Sequence, residues 1–142
     1  PHNPTGKILT ENDFVQLKNL LEKYPDIIVL SDEVYEYITF EEKHISAHTK
    51  HYLLDRCVMV SSFGKSFHIT GWKIGYVIAP ESLMIEIKKV HQYMVFTVNS
   101  IAQYAINDYI DLVEVSELGN FYQQKRDLSQ LSQIRKLSQI TL

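Results

Sequence analysis

The chain has 142 residues, the size of one ordinary domain, and 45% of them are hydrophobic, enough to build a buried core. The formal net charge is −3 and the basic residues are scattered, which disfavours a nucleic-acid or anionic-membrane surface, because such surfaces need clustered lysine and arginine. No apolar run is long enough to predict a membrane span. The single cysteine, Cys57, excludes an internal disulfide, and we expect a small buried thiol in a cytoplasmic protein.

The first elements in chain order are a helix and a strand. Thr10 and Asp13 form the ends of a capping-box pattern, and apolar residues then recur at helical spacing, which predicts a helix over 11–24. Residues 27–30 are a short apolar run rich in β-branched side chains. Such a run is typical of a strand buried on both faces, as in a parallel sheet.

The rest of the chain predicts two more strands and three helices. The strands are expected over 57–60 and 73–79, separated from the first strand by a polar, histidine-rich loop at 41–56. Helices are expected from residue 81, with an apolar stripe, over 99–112, and from about 116 onwards. The stripe contains Leu83, Ile87, Val90 and Met94. This order of elements belongs to an α/β domain, in which ligands bind beyond the carboxyl ends of strands.

Polar residues follow two of the predicted strands at such ends. Asp32 comes directly after the first strand, where a carboxylate could hold a protonated ring nitrogen or a metal, or could cap a turn. Tyr35 follows three residues later, within reach of the same ligand. Lys65 lies in the loop after the second strand, where partial desolvation would lower its pKa and free the amine for Schiff-base chemistry.

Two other kinds of site, a phosphate-binding loop and a zinc site, are alternative interpretations of residues in these loops. Gly64, Lys65 and the serine after them suggest a phosphate-binding P-loop, but that motif needs a glycine at the position of Met59. Histidines spaced by four and three residues could bind zinc, but a solvated polar loop explains them as well. These histidines are His44, His48 and His51.

Four segments together resemble the fold-type I, class I and II aminotransferases, which depend on pyridoxal phosphate. The turn-forming Asn3–Gly6 comes first, followed in the family's order by Ser31–Tyr35, Ser62–Phe67 and Thr70–Tyr76. The resemblance covers about residues 1–127 and is most marked for the methionine and kynurenine (glutamine-transaminase-K-like) branch. It implies an α/β large domain with a mostly parallel sheet and flanking helices, of which 1–127 would be the C-terminal part. Residues 128–142, with three Ser-Gln repeats, are assigned no function.

The resemblance implies a role for each matching side chain. Lys65 would bond the cofactor and then carry a proton at the substrate's α-carbon, while Asp32 would pair with the cofactor's ring nitrogen. The other members of the set would contact the cofactor's phenolate oxygen, its phosphate, or the substrate pocket from a partner subunit. They are Asn3 and Tyr35 for the phenolate, Ser62 and Lys73 for the phosphate, and Asn3 and Phe96 for the pocket. The family pattern also makes a cis peptide before Pro4 a candidate.

The implied reaction is transamination between an amino acid, aromatic or sulfur-containing, and a 2-oxo acid, in a parent enzyme that is a homodimer. A carbon–sulfur β-lyase of the same fold and a non-catalytic remnant stay open as alternatives. The family's phosphate-binding glycine loop and stacking aromatic residue precede the motif proline, and its carboxylate-binding arginine lies beyond residue 142. Arg135 is no substitute for that arginine, so we expect the chain to be an incomplete piece of the enzyme.

Overall fold

The computed structural model describes the backbone of residues 1–140 and the side chains of residues 1–132. Residues 141–142 of the tail and the side chain of Arg135 therefore lie outside the described part. The helices and strands follow one another as α1 (Glu11–Lys23), β1 (Val29–Asp32), β2 (Cys57–Ser62), α2 (Phe63–Ser66), β3 (Gly75–Ile78), α3 (Glu81–Met94), α4 (Ser100–Tyr109) and α5 (Leu118–Ile140). Single 3₁₀ turns lie at Ala47–Thr49, His51–Leu53, Thr70–Trp72, Ile110–Leu112 and Val115–Glu117.

The three strands form one sheet with β2 at its centre. β2 pairs with β1 in parallel, which sets Asp32 beside Val60, and with β3 in antiparallel fashion, which sets Ser62 beside Gly75. Because β1 and β2 run in the same direction, their carboxyl ends meet at one edge of the sheet. The residues that follow both strands therefore start from neighbouring positions.

Helix α1 forms where the capping box predicted it. The Thr10 hydroxyl accepts a hydrogen bond from the backbone N–H of Asp13, and the Asp13 carboxylate accepts one from the Thr10 backbone N–H at 2.7 Å. The buried face of α1 then packs on the sheet and on the 3₁₀ turns before β2. This core contains Phe14, Leu21, Ala47, Leu53 and Cys57, so the buried position expected for the cysteine is confirmed.

A second core lies beyond β2, between the turn before β3 and helix α4. Ile74, Ala102 and Ile106 are its buried members. The aromatic rings of Phe63 and Phe67, which flank α2, pack against it with their centroids 5.2 Å apart. This core fixes α2 from one side while β2 fixes it from the other.

Helix α5 begins in contact with the segment that follows Tyr35. A Cβ at Gly119 would overlap the carbonyl oxygen of Thr39, so only glycine permits this approach. About two turns further on, the Arg126 guanidinium lies 4.4 Å from the ring centroid of Phe40. The helix is thereby docked on residues 39–40 at its amino-terminal end.

Several expectations about the elements were wrong in detail. The first strand is not buried on both faces: it runs from Val29 to Asp32, and Leu30 is 70% exposed because β1 lies at the edge of the described sheet and α1 covers one face only. Residues 63–66 form a helical turn instead of a loop, because the Ser62 hydroxyl caps it.

Helix α3 forms where the sequence predicts it, and none of its side chains is buried, including its apolar stripe. No described helix is long and apolar enough to cross a membrane.

The close pairing of β2 and β3 predicts a sharp effect of one substitution. In Gly75→Ala the new methyl group would overlap the Ser61 carbonyl oxygen, so we expect the free energy of unfolding to fall by about 1–3 kcal/mol. Gly71→Ala is the matched control, because no non-neighbouring atom lies within 4 Å of the place its methyl group would take. Urea denaturation should show the loss for Gly75→Ala alone; equal midpoints for the two variants would contradict the close approach.

Candidate active site

The carboxyl end of β1 presents alternate side chains to opposite faces of the sheet. Ser31 and Glu33 point towards the α1 core, and Glu33 is only 2% exposed, whereas Asp32 between them is exposed. The Asp32 carboxylate accepts a hydrogen bond from the backbone N–H of Val34 at 3.2 Å. Asp32 is thus an accessible carboxylate on a backbone that is held by its two neighbours.

Asn3 and Tyr35 meet beside this carboxylate although they are 32 residues apart. The Asn3 amide donates a hydrogen bond to the Tyr35 hydroxyl at 3.0 Å. The peptide bond between Asn3 and Pro4 is cis, as the family pattern suggested. A cavity of about 510 Å³ is lined by Asn3, Asp32 and Tyr35 together, so the structure brings these three predicted residues to one place.

Lys65 approaches the same group from helix α2. Its Nζ lies 5.6 Å from the ring centroid of Tyr35. The helix carries Lys65 because Ser62, the last residue of β2, caps it by accepting a hydrogen bond from the Gly64 N–H at 3.0 Å. Lys65 does not line the cavity itself, but Tyr35 lines the cavity and also contacts Lys65.

The remaining predicted residues lie further out. The Ser62 hydroxyl is directed at the Ile74 carbonyl oxygen, 3.3 Å away, and Lys73 follows in a left-handed backbone conformation with its side chain exposed. Phe96 is 78% exposed at the end of α3, also with a positive φ of 65°, which is unusual for a bulky side chain. Phe96 does not join the cavity that holds Asp32.

Sequence reasoning missed the buried carboxylate of Glu33. It accepts hydrogen bonds from His44 Nε2 at 2.7 Å, from the Ala47 backbone N–H at 2.9 Å and from the Ser31 hydroxyl at 2.9 Å. Burial alone would raise the pKa of Glu33, but the hydrogen bonds from His44, Ala47, Ser46 and Ser31 outweigh it and lower the pKa to about 2. The signal available in the sequence was the period-2 alternation of β1, which turns Glu33 inwards when Asp32 faces out.

A second hydrogen-bond network, half-buried and also not predicted, connects Glu36 with Ser61 of β2 and Tyr76 of β3. The Glu36 carboxylate accepts hydrogen bonds from the Ser61 hydroxyl at 2.7 Å and from the Tyr76 hydroxyl at 2.9 Å. Burial, together with the nearby Glu36 charge, raises the pKa of Tyr76 to about 12. This network joins the segment after Tyr35 to both β2 and β3.

The histidines of the 41–56 segment do not form a metal site. Across the described residues, no group of three or more His, Cys, Asp or Glu side chains is arranged to hold a metal ion. His44 is engaged with Glu33, and the Nε2 atom of His48 is buried without a hydrogen-bond partner among the described residues.

The chain belongs to the class I and II aminotransferase family, whose model matches residues 1–132. It is 44% identical over 131 residues to a methionine aminotransferase of Escherichia coli, covering 90% of this chain and 34% of that protein. It is 36% identical over 133 residues to a kynurenine–oxoglutarate transaminase of Dictyostelium discoideum, covering 89% and 31%. The predicted family and branch are confirmed by these relatives.

Solved structures agree with this assignment. A structure of the Escherichia coli methionine aminotransferase superposes with a TM-score of 0.84 at 45% identity, over 89% of this chain and 34% of that one. The N-succinyldiaminopimelate aminotransferase of Mycobacterium tuberculosis gives a TM-score of 0.83 at 29% identity, with the same coverage. The predicted α/β class is therefore confirmed, and the chain spans about a third of the length of these relatives.

The lowered pKa of Glu33 predicts an acid-dependent loss of stability. The folded chain holds this carboxylate deprotonated down to about pH 2, whereas the unfolded chain protonates it near pH 4.5. The contribution is thus complete above pH 4.5 and disappears as the pH falls to 2, and it amounts to about 3 kcal/mol. Denaturation curves between pH 2 and pH 7 should show a shallower acid dependence for Glu33→Gln.

The exposed Glu42 provides the control for this titration. Glu42→Gln should keep the acid dependence of the wild type, since Glu42 takes no part in the hydrogen bonds that hold the Glu33 carboxylate. An unchanged slope in Glu33→Gln would show that Glu33 does not titrate as its hydrogen bonds indicate.

Proposed function

We propose that this chain supplies the lysine-bearing part of a pyridoxal-phosphate-dependent aminotransferase, which exchanges an amino group between an amino acid and a 2-oxo acid. The observation that carries the proposal is the convergence of four chemically different groups. The carboxylate of Asp32, the amide of Asn3 and the phenol of Tyr35 share one cavity, and the Lys65 amine lies against the Tyr35 ring. Because the chain spans about a third of its relatives, the reaction is that of the whole enzyme.

The donor set fits the cofactor. Bound pyridoxal phosphate supplies an aldehyde that an amine can bond and a ring that withdraws electrons from the substrate's α-carbon. An exposed carboxylate at Asp32 can accept the N–H of a protonated ring nitrogen. The hydrogen-bonded pair of Asn3 and Tyr35 can donate to an anionic oxygen. The 510 Å³ cavity is within the range of small-molecule and cofactor sites.

Lys65 would provide the amine that bonds the cofactor and would later hold a proton at Nζ. A lysine can do both because a primary amine bonds a carbonyl carbon when neutral and carries a proton when charged. Lys65 is half-buried, and its Nζ lies over the face of the Tyr35 ring. This contact keeps the amine near the cavity, and no carboxylate of the described residues binds it as an ion pair.

Ser62 and Lys73 would bind the phosphate, which requires hydroxyl or amide donors and a cation. The capped amino terminus of α2 begins at Ser62, and Lys73 is exposed and able to meet an anion. A phosphate there would replace the 3.3 Å contact between the Ser62 hydroxyl and the Ile74 carbonyl oxygen.

The substrate class and the assembly follow from the same proposal. The similarity to a methionine aminotransferase and to a kynurenine–oxoglutarate transaminase supports sulfur-containing or aromatic amino acids, and favours transamination over β-elimination. The exposed Phe96, beside other exposed apolar residues at the end of α3, supports a homodimer in which Phe96 reaches the partner's pocket. The other residues are Tyr93, Met94 and Val95. The proposal places the enzyme in the cytoplasm.

The test is an absorbance titration of the purified chain with pyridoxal phosphate, followed by borohydride reduction and peptide mapping. We expect a new absorption band and a reduced cofactor–lysine bond at Lys65. In Lys65→Ala, both should be lost, although Lys7 also lines the cavity, because the amine of Lys65 is the one that lies against the Tyr35 ring.

Lys88→Ala is the matched control, since Lys88 is an exposed lysine on α3. It should bind and be reduced like the wild type. Equal labelling of wild type and Lys65→Ala, spread over several lysines, would refute the role of Lys65 in this chain.

A further inference from the structure

The buried pair of Glu33 and His44 has no place in the chemistry proposed above, although it adjoins the site. The Glu33 side chain is 1% exposed and His44 is 16% exposed, with 2.7 Å between Oε2 and Nε2. Because the Glu33 carboxylate is ionised and can only accept, Nε2 of His44 carries the proton that joins them. Burying a carboxylate is costly, and apolar side chains of similar volume would fill the same space without that cost.

The pair is joined to Asp32 through the backbone of β1. Ser31 and Glu33, the neighbours of Asp32 on either side, are linked to each other by the 2.9 Å hydrogen bond from the Ser31 hydroxyl. The Glu33 backbone N–H also donates to the Val60 carbonyl oxygen of β2 at 2.8 Å. The backbone at Asp32 is therefore fixed on both sides by contacts that Glu33 makes.

His44 contacts the Glu33 carboxylate from the loop between β1 and β2. Its ring lines the same cavity as Asp32, and the Ala47 backbone N–H, three residues later, donates to the other Glu33 oxygen at 2.9 Å. Both carboxylate oxygens are thus held, one by the His44 ring and one by the backbone and Ser31. Hydrogen bonds fix the direction of a side chain, which apolar packing alone does not do.

We propose that Glu33 and His44 are positioning residues, which hold the Asp32 carboxylate where it meets the cofactor's ring nitrogen. The inference rests on the proposed function. It assigns to His44 a task other than metal binding and to Glu33 a task other than stabilising the fold.

The experiment compares two ligands that differ at the ring nitrogen only. The purified chain is titrated with pyridoxal phosphate and with an analogue in which a ring C–H replaces that nitrogen. A charge-assisted hydrogen bond to Asp32 should make the wild type prefer pyridoxal phosphate by roughly 10- to 100-fold. The bond to Lys65 is common to both ligands, so the affinity ratio isolates the contact with Asp32.

We expect Glu33→Ala and His44→Ala to bring this ratio close to one, while Glu33→Gln keeps most of it because the amide oxygen still accepts from the Ala47 N–H. His44→Phe keeps the ring volume and removes the Nε2–H, so it should also lower the ratio, and it carries the test if the alanine variants do not fold. Leu53→Ala is the control for general destabilisation, because Leu53 is fully buried in the α1 core but does not line the cavity that contains Asp32. It should weaken the fold and leave the ratio unchanged.

A wild-type ratio in the Glu33 and His44 variants would overturn the inference, as would an equal fall in Leu53→Ala. A wild type that bonds pyridoxal phosphate at Lys65 but does not distinguish the analogue would overturn it as well, while leaving the anchoring role of Lys65 intact. A wild type that binds neither ligand would remove the proposed function of the chain and this inference with it.

Discussion

The parallel pairing of β1 and β2 is the constraint on which the site depends. It brings the carboxyl ends of two strands, separated along the chain by residues 33–56, to one edge of the sheet. Asp32 is the last residue of one strand, and Ser62, which caps the helix of Lys65, is the last residue of the other. A slip of one residue in this register would turn Asp32 into the α1 core and Glu33 outwards, since side chains alternate along a strand. The register of the hydrogen bonds between β1 and β2 therefore determines which side chains face the site.

That register is reinforced by two carboxylates, one buried and one half-buried. Glu33 ties β1 to the turn at Ala47–Thr49, and Glu36 ties the segment after Tyr35 to β2 and β3. Each is satisfied by hydrogen bonds, which is the condition under which a buried charge is tolerated. Unlike apolar contacts, these bonds are lost when the register changes, so they oppose alternative pairings of the strands.

Local patterns were sufficient to predict most of the elements. The capping box located the start of α1, and the short apolar runs located the sheet strands to within a few residues. The exposure of Leu30 could not be predicted this way, because the side-chain pattern of a strand does not reveal whether a further layer covers it within the described chain. The helical turn at 63–66 depends on a cap from Ser62, which the apolar pattern does not contain.

The candidate site was predictable at the residues whose chemistry is distinctive. Asn3, Asp32, Tyr35 and Lys65 were identified from motifs, and the structure brings them together around one cavity and its border. The roles of these four residues stay predictions, as do those of Ser62, Lys73 and Phe96. The pairing of Glu33 with His44 was not predicted, because it joins residues 11 apart across a turn, and no spacing rule describes such a contact. A buried acid next to an exposed one is visible only once the faces of β1 are known.

The docking of α5 on Thr39 has a mechanical consequence. The helix contains 23 residues and is therefore about 34 Å long, with its amino-terminal end pinned at Gly119 and Arg126. If α5 tilted by about 5° about its amino-terminal end, its far end would move by about 3 Å. Thr39 and Phe40 share a second cavity with Asn3 and Tyr35. The anchored end of α5 therefore adjoins the wall of the site, so a tilt of the helix would change the surroundings of Asn3 and Tyr35 through Thr39 and Phe40.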